Sequence, residues 1–181
     1  MQLAFSDRQS DVQRRAQRFA EEHVQPLSRE MDEQGRMPRE LITAMGGAGL
    51  IGGGLPVEFG GEGWDSLALA LCYEELGRVD SSVRGFMTVQ TSLVARCILE
   101  WGSAAQREAW LPGLARGEAI GCYCLTESGA GSAAAAIATT ATADGDHYLL
   151  DGEKIWITNG GIADVAIVFA QGDPEKRHRG I

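Results

Sequence analysis

The spacing of apolar residues changes once along this chain, near residue 118, and that change limits the fold more than any other feature. Before it, apolar residues recur at three- and four-residue steps, the period of a helix with one buried face. After it they fall in short runs broken by the pairs Asp144-Gly145 and Asp151-Gly152, the pattern of strands joined by turns. The expectation is an α+β protein, with an all-helical domain over residues 1–117 and an antiparallel β domain over residues 118–181.

The helical half can be divided by its caps. Ser6 with Gln9 and Ser103 with Gln106 each make a capping box. Val12, Ala16, Phe19, Ala20 and Val24 then predict a first helix that ends near Pro26 or kinks and continues to Met31. Pro38 suits the first position of a second helix with Leu41, Ile42 and Met45 on its apolar face. A third is expected from Ser66 to Arg78, with Leu67, Leu71 and Leu76 inward and Glu74 and Glu75 outward. The run 81–101 is nearly all apolar, with Arg84, Gln90 and Arg96 standing out, and predicts a buried central helix. A last helix passes Trp110 and Leu114, with Pro112 expected to bend it. The glycine-rich stretch 46–63 lacks the Lys-Ser/Thr pair and the preceding strand of a phosphate-binding loop, so it reads as a connector.

A net charge of −9 sets the field of the whole protein against nucleic acid. No apolar run approaches the ~20 residues of a membrane span, and the N-terminus has no basic region followed by an apolar one, so a cytoplasmic protein is expected. Cys72, Cys97, Cys122 and Cys124 have neither disulfide nor zinc spacing and are expected to be buried, reduced thiols. No metal site is expected.

Chemistry concentrates in two segments. Cys122 to Ala133, CYCLTESGAGSA, passes from apolar residues through Thr126 and Glu127 into Ser128, Gly129, Ala130, Gly131 and Ser132, whose small side chains leave backbone amides uncovered for a diphosphate. Lys154 to Gly160, KIWITNG, alternates at strand period, which puts Trp156 and Thr158 on one face and Ile155 and Ile157 on the other. A ring and a hydroxyl side by side suit a planar polar cofactor.

These two segments, in this order, resemble the flavin-contacting segments of the acyl-CoA dehydrogenases, and the helical half is similar to that family's first domain. The family usually has Pro at the position of Ser128 and Asp at that of Ala133. The resemblance implies FAD as cofactor, held by Tyr123, Cys124, Leu125, Thr126, Gly129, Ala130, Gly131, Ser132, Trp156, Ile157 and Thr158. Thr126 and Thr158 would hydrogen-bond the isoalloxazine, and Ser132 would also touch the acyl-thioester. Arg84, in SSVRGFMTVQ, is similar to the arginine that takes the distal carboxylate in glutaryl-CoA dehydrogenases; otherwise it needs an anionic partner within the protein.

The implied activity is α,β-dehydrogenation of an acyl-CoA thioester. Electron-transfer flavoprotein is the implied acceptor, and a homo-oligomer or a complementing C-terminal fragment the implied partner. The family's β domain has further strands and is followed by a four-helix domain that carries the catalytic base. Both are absent from these 181 residues, so no residue here is assigned as catalytic and the chain alone is expected to be inactive. An oxidase would share the motifs. A fragment that only binds flavin, acyl thioester or another protein is the alternative.

Overall fold

In the computed structural model, which describes residues 4–181, the first helix starts at the Ser6/Gln9 pair. Ser6 Oγ accepts from the Gln9 amide at 3.2 Å and Gln9 Oε1 accepts from the Ser6 amide at 2.9 Å, so two open donors are satisfied at once. Helix α1 (Asp7–Phe19) buries Val12, Ala16 and Phe19 and widens into a π turn at Ala20–Val24. A short α2 (Ser28–Gln34) follows, closed by Gly35 at φ 59°. Pro38 caps α3 (Arg39–Gly47) from outside the helix, one position earlier than expected, and Leu41, Ile42 and Met45 are buried.

Helix α4 (Ser66–Val79) corrects two expectations. Leu67 is 44% exposed and Glu75 only 9%. The buried stripe runs through Ala68, Leu71, Cys72, Glu75 and Leu76, and at 3.6 residues per turn that stripe contains position 75 and leaves 67 to one side. Glu75 is tolerated there because its carboxylate accepts from Gln13 Nε2 at 3.0 Å and from Arg78 Nε at 3.2 Å.

The stretch expected to be one buried helix is a rod of α5 (Ser81–Thr88), a π turn (Val89–Ala95) and α6 (Arg96–Trp101), buried along one side only. Its other side shows Ser81, Ser82, Leu93 and Arg96 to solvent. Helix α7 (Ala104–Ala115) opens on the second capping box and continues through Pro112.

Four strands follow. β2 (Thr140–Asp144) and β3 (His147–Asp151) form an antiparallel hairpin across Gly145 and Asp146. β1 (Gly121–Cys124) and β4 (Val165–Val168) pair parallel, not antiparallel as expected. The hairpin lies between them in sequence, and this connection is long enough for the crossover that parallel pairing requires. KIWITNG is not a strand. Trp156 at φ 58° and Asn159 at φ 67° turn the backbone into the left-handed region, where extended pairing stops.

The core has two parts. One gathers side chains of α1, α3, α4 and α5; the other joins Val94, Ala95, Ile98, Leu111 and Leu114 to Tyr123, Val165 and Ile167 of the β pair. Between helices and strands sits Gln90, completely buried. Its Nε2 donates to Ala119 O at 2.7 Å and Leu114 O at 3.1 Å, and its Oε1 accepts from the Gly121 amide at 2.8 Å. Any Cβ at position 121 would stand 2.4 Å from Val94 Cγ1, so glycine lets β1 lie directly against the π turn. Gln90→Leu would leave the Gly121 amide and Ala119 carbonyl unpaired in the interior. The expected loss is about 3 kcal/mol, read as a lower midpoint in urea unfolding.

Candidate functional site

The two chemistry-bearing segments meet. The Ile155 amide donates to Thr126 O at 2.9 Å, and Lys154 Nζ donates to Leu125 O at 3.1 Å. Lys154 also pairs with Glu127 at 2.7 Å, both side chains being about nine-tenths buried (10% and 8% exposed). Glu127 in turn accepts from the amides of Ala138 at 2.6 Å and Thr139 at 3.0 Å. One carboxylate therefore fixes the end of the first segment, the return of its loop and the start of the second segment. These bonds, led by the Ala138 amide and then Lys154, hold the Glu127 pKa down to about 2. A carboxylate so firmly ionised and so fully bonded is a poor general base.

Between the two ends, Glu127 and Ala130 exchange hydrogen bonds of 3.1 Å in each direction, closing a tight turn over Ser128 and Gly129. Ser128 thus occupies the turn position that favours Pro. Among the described residues, the amides of Gly129, Gly131 and Ser132 donate to no acceptor. A Cβ at Gly129 or Gly131 would meet nothing within 4 Å. The chain's own packing does not require glycine there, whereas close approach of a ligand to the backbone would.

Trp156 and Thr158 are exposed and Ile155 and Ile157 half-buried, so the expected alternation of faces survives without the strand. The Trp156 ring is 88% exposed although its residue sits at φ 58°, a conformation a bulky side chain rarely adopts. Asn159 secures the far end of the segment by donating from Nδ2 to Gly121 O at 3.0 Å. Tyr123 turns the other way, against Phe169 with ring centroids 4.8 Å apart and into the second core cluster. Tyr123, Cys124, Leu125 and Thr126 are half-buried; Ala130 is buried, and Gly129, Gly131 and Ser132 are exposed.

Thr158 and Asn159 also border a cleft of about 1220 Å³, floored by Met31, Ile42, Phe86 and Ile120. Thr158 is the only expected cofactor residue on its wall, and Arg84 is not part of it. The Arg84 guanidinium donates to Ser81 Oγ at 3.3 Å and, among the described residues, meets no carboxylate. The internal ion pair that burial seemed to demand is thus not made, because Arg84 is half-buried on the open side of its helix. All four cysteines are free thiols, but only Cys72 and Cys122 are buried; Cys97 and Cys124 are half-buried. Burial, then the neighbouring Cys124, pushes the Cys122 pKa up to about 11.

Lys154 and Asn159 were not singled out in the sequence, although a lone cation at the head of an apolar segment, facing a lone anion in its partner, is a legible signal. A pH experiment isolates the clasp. Because the folded-state pKa of Glu127 lies below its unfolded value, the stability it supplies is complete above about pH 4.5 and lost as pH falls through about 2. Glu127→Gln should lower the melting temperature at pH 7, and the gap from the parent should close on acidification over that window.

The family described as the acyl-CoA dehydrogenase N-terminal domain matches residues 6–118, and the acyl-CoA dehydrogenase middle domain matches 122–181. The short-chain specific acyl-CoA dehydrogenase of Clostridium acetobutylicum is 40% identical over the whole chain, which covers 48% of that relative. A glutaryl-CoA dehydrogenase from Mycobacterium smegmatis, solved in complex with FADH2, is 38% identical with a TM-score of 0.90, over 93% of this chain and 44% of that one. A chain in a structure of the electron transferring flavoprotein of Acidaminococcus fermentans superposes with a TM-score of 0.95 at 38% identity, over 99% of this chain and 47% of that one. The chain thus spans about half the length of these relatives. With both matched domains in order and together covering nearly all of its residues, the chain belongs to the acyl-CoA dehydrogenase family.

Proposed function

We propose that this chain is the flavin-holding half of an FAD-dependent enzyme that desaturates acyl-CoA thioesters between the α and β carbons. The observation that carries the proposal is the clasp between the two segments, which leaves the amides of Gly129, Gly131 and Ser132 unbonded and Trp156 and Thr158 exposed. The groups present fit FAD. Amides of Gly129, Gly131 and Ser132 receive the diphosphate, the Thr126 and Thr158 hydroxyls hydrogen-bond the ring, and Trp156 covers it. The backbone around Tyr123, Cys124, Leu125, Ala130 and Ile157 completes the contact, and Ser132 extends to the thioester ligand. When bound, the flavin supplies the hydride acceptor. This chain's part is to orient it and to hold Thr158 on the wall of the cleft, where an acyl chain can lie against Phe86 and Ile120.

Glu127 is committed to Lys154 and two amides, so the α-proton goes to a base outside these 181 residues, in a C-terminal fragment or a longer chain. Electron-transfer flavoprotein is the acceptor in this reading, and the cytoplasm the location. The same commitment of Glu127 favours the second reading, a fragment that binds flavin or acyl thioester without chemistry.

The test joins the chain to a polypeptide covering the remaining half of the Clostridium acetobutylicum relative, then adds FAD and butyryl-CoA. A yellow complex that bleaches an electron-acceptor dye supports the enzyme. A yellow complex inert to acyl-CoA supports the second reading, and failure to take up FAD ends both.

Two substitutions refine this. Trp156→Gly relieves the unfavourable backbone angle, so stability should hold or rise by about 1 kcal/mol while FAD affinity falls. Melting temperature and FAD titration separate the two effects. Arg84, without a carboxylate partner among the described residues, is assigned to a distal substrate carboxylate. In the assembled enzyme Arg84→Ala should cost glutaryl-CoA about tenfold or more in kcat/KM relative to butyryl-CoA. Equal losses would assign it a structural role.

A further inference from the structure

Strand β4 has one edge in use and one open. The amides of Val165 and Phe169 donate to Ile120 O and Cys124 O, each at 3.1 Å, and further along the Gln171 amide donates to Thr139 O at 2.7 Å. In this extended run the odd-numbered residues therefore turn their backbone groups toward β1 and then β2, and the even-numbered Ala166, Val168 and Ala170 turn theirs the other way. Among the described residues, neither the amides nor the carbonyls of these three have a hydrogen-bond partner. The edge also lacks the charges and prolines that keep an open strand from pairing, since residues 165–170 are all apolar.

Alongside that edge lies a groove of about 260 Å³ between β4 and helices α6 and α7, bordered by Cys97, Trp101, Trp110 and Ala166. Trp101 is 83% exposed there, and Ala166 and Val168 are exposed on the strand. The chain already turns toward this edge. After a 3-10 turn at Pro174–Arg179 it returns at Gly180, whose carbonyl accepts from the Gly172 amide at 2.8 Å. Gly172 is even-numbered like the open residues, so this bond is the first rung of an antiparallel ladder on the open side. A Cβ at Gly180 would collide with Asp173 O, and glycine admits the close return.

The geometry points to the open edge of β4 as the docking site for an antiparallel strand, supplied by the polypeptide that follows Ile181 in a protein of its relatives' length, of which this chain spans about half. The Gly172–Gly180 rung sets the register. The first residue after Ile181 lies beside Ala170, the third beside Val168 and the fifth beside Ala166, each exchanging backbone hydrogen bonds with its neighbour. The second and fourth stand opposite Phe169 and Ile167, whose side chains pack inward, so the fourth is apolar and enters the groove beside Trp101 and Trp110. None of this requires a cofactor, and the strand docks whether or not the chain holds flavin.

The test compares the 181-residue chain with the same chain extended by about eight residues, an ordinary strand length, taken from the Clostridium acetobutylicum relative just beyond its matched segment. Both are followed by amide hydrogen exchange without FAD. The extension should slow exchange at Ala166, Val168 and Ala170 by about tenfold or more and leave Ile167 and Phe169, bonded to β1 in either chain, unchanged. Proline at the third added residue removes an amide that faces β4 and should abolish the protection; proline at the second, whose amide faces away, should keep it. Equal exchange in the two chains, or the same effect from both prolines, would overturn the docking site. So would protection of the three amides in the unextended chain together with a dimer in sedimentation, which would give the edge to a second copy.

Discussion

A single buried ion pair, Glu127 with Lys154, decides where two distant pieces of chain stand relative to one another. Burying two charges is costly unless each is paired and its remaining hydrogen-bonding capacity is filled. Here both conditions hold, since Glu127 takes two amides as well as the ammonium, and Lys154 gives a further bond to Leu125 O. The chain has only two lysines against fourteen arginines. A compact ammonium can serve a carbonyl and a carboxylate at once in a space too small for a planar guanidinium fork. Removing either partner would strand the other in the interior, so the clasp is geometrically demanding as well as charged.

The clasp works only because β1 is itself immobilised from below. Gln90, on the π turn within the central rod, takes up the Gly121 amide and the Ala119 carbonyl where the backbone passes from helix to strand. Gly121 gives the close approach, and the Asn159 bond to Gly121 O ties the end of the second segment to the start of β1. Arg39 adds a contact from α3, donating to Glu118 O at 2.7 Å and facing Asp164 at 3.4 Å. A chain of hydrogen bonds thus runs from the helical core to the residues around Trp156. This is how a backbone angle unfavourable to a bulky exposed side chain is held in place.

This construction gives a division of labour consistent with family membership. The helical half supplies most of the cleft lining, while the loops after β1 and before β4 supply the polar groups around Trp156. The carboxylate within the first motif, Glu127, is not free, because it is locked into the scaffold.

Much of this was legible in the residues themselves. Both capping boxes formed, because an Ser-x-x-Gln pair acts over one turn and needs nothing distant. The two motifs, and through them the family, could be read because small residues, paired hydroxyls and a lone tryptophan keep their order whatever the fold around them. Tertiary structure alone decided the rest. Glu75 went inward because Gln13 was waiting on α1, and β1 found a parallel partner because the long connection through the hairpin leaves room for a crossover. KIWITNG has the alternation of a strand and becomes an anchored turn, since its Lys154 end and its Asn159 end are each tied to other segments. Periodicity reports which side chains share a face; which backbone path satisfies the hydrogen bonds depends on partners far away in sequence.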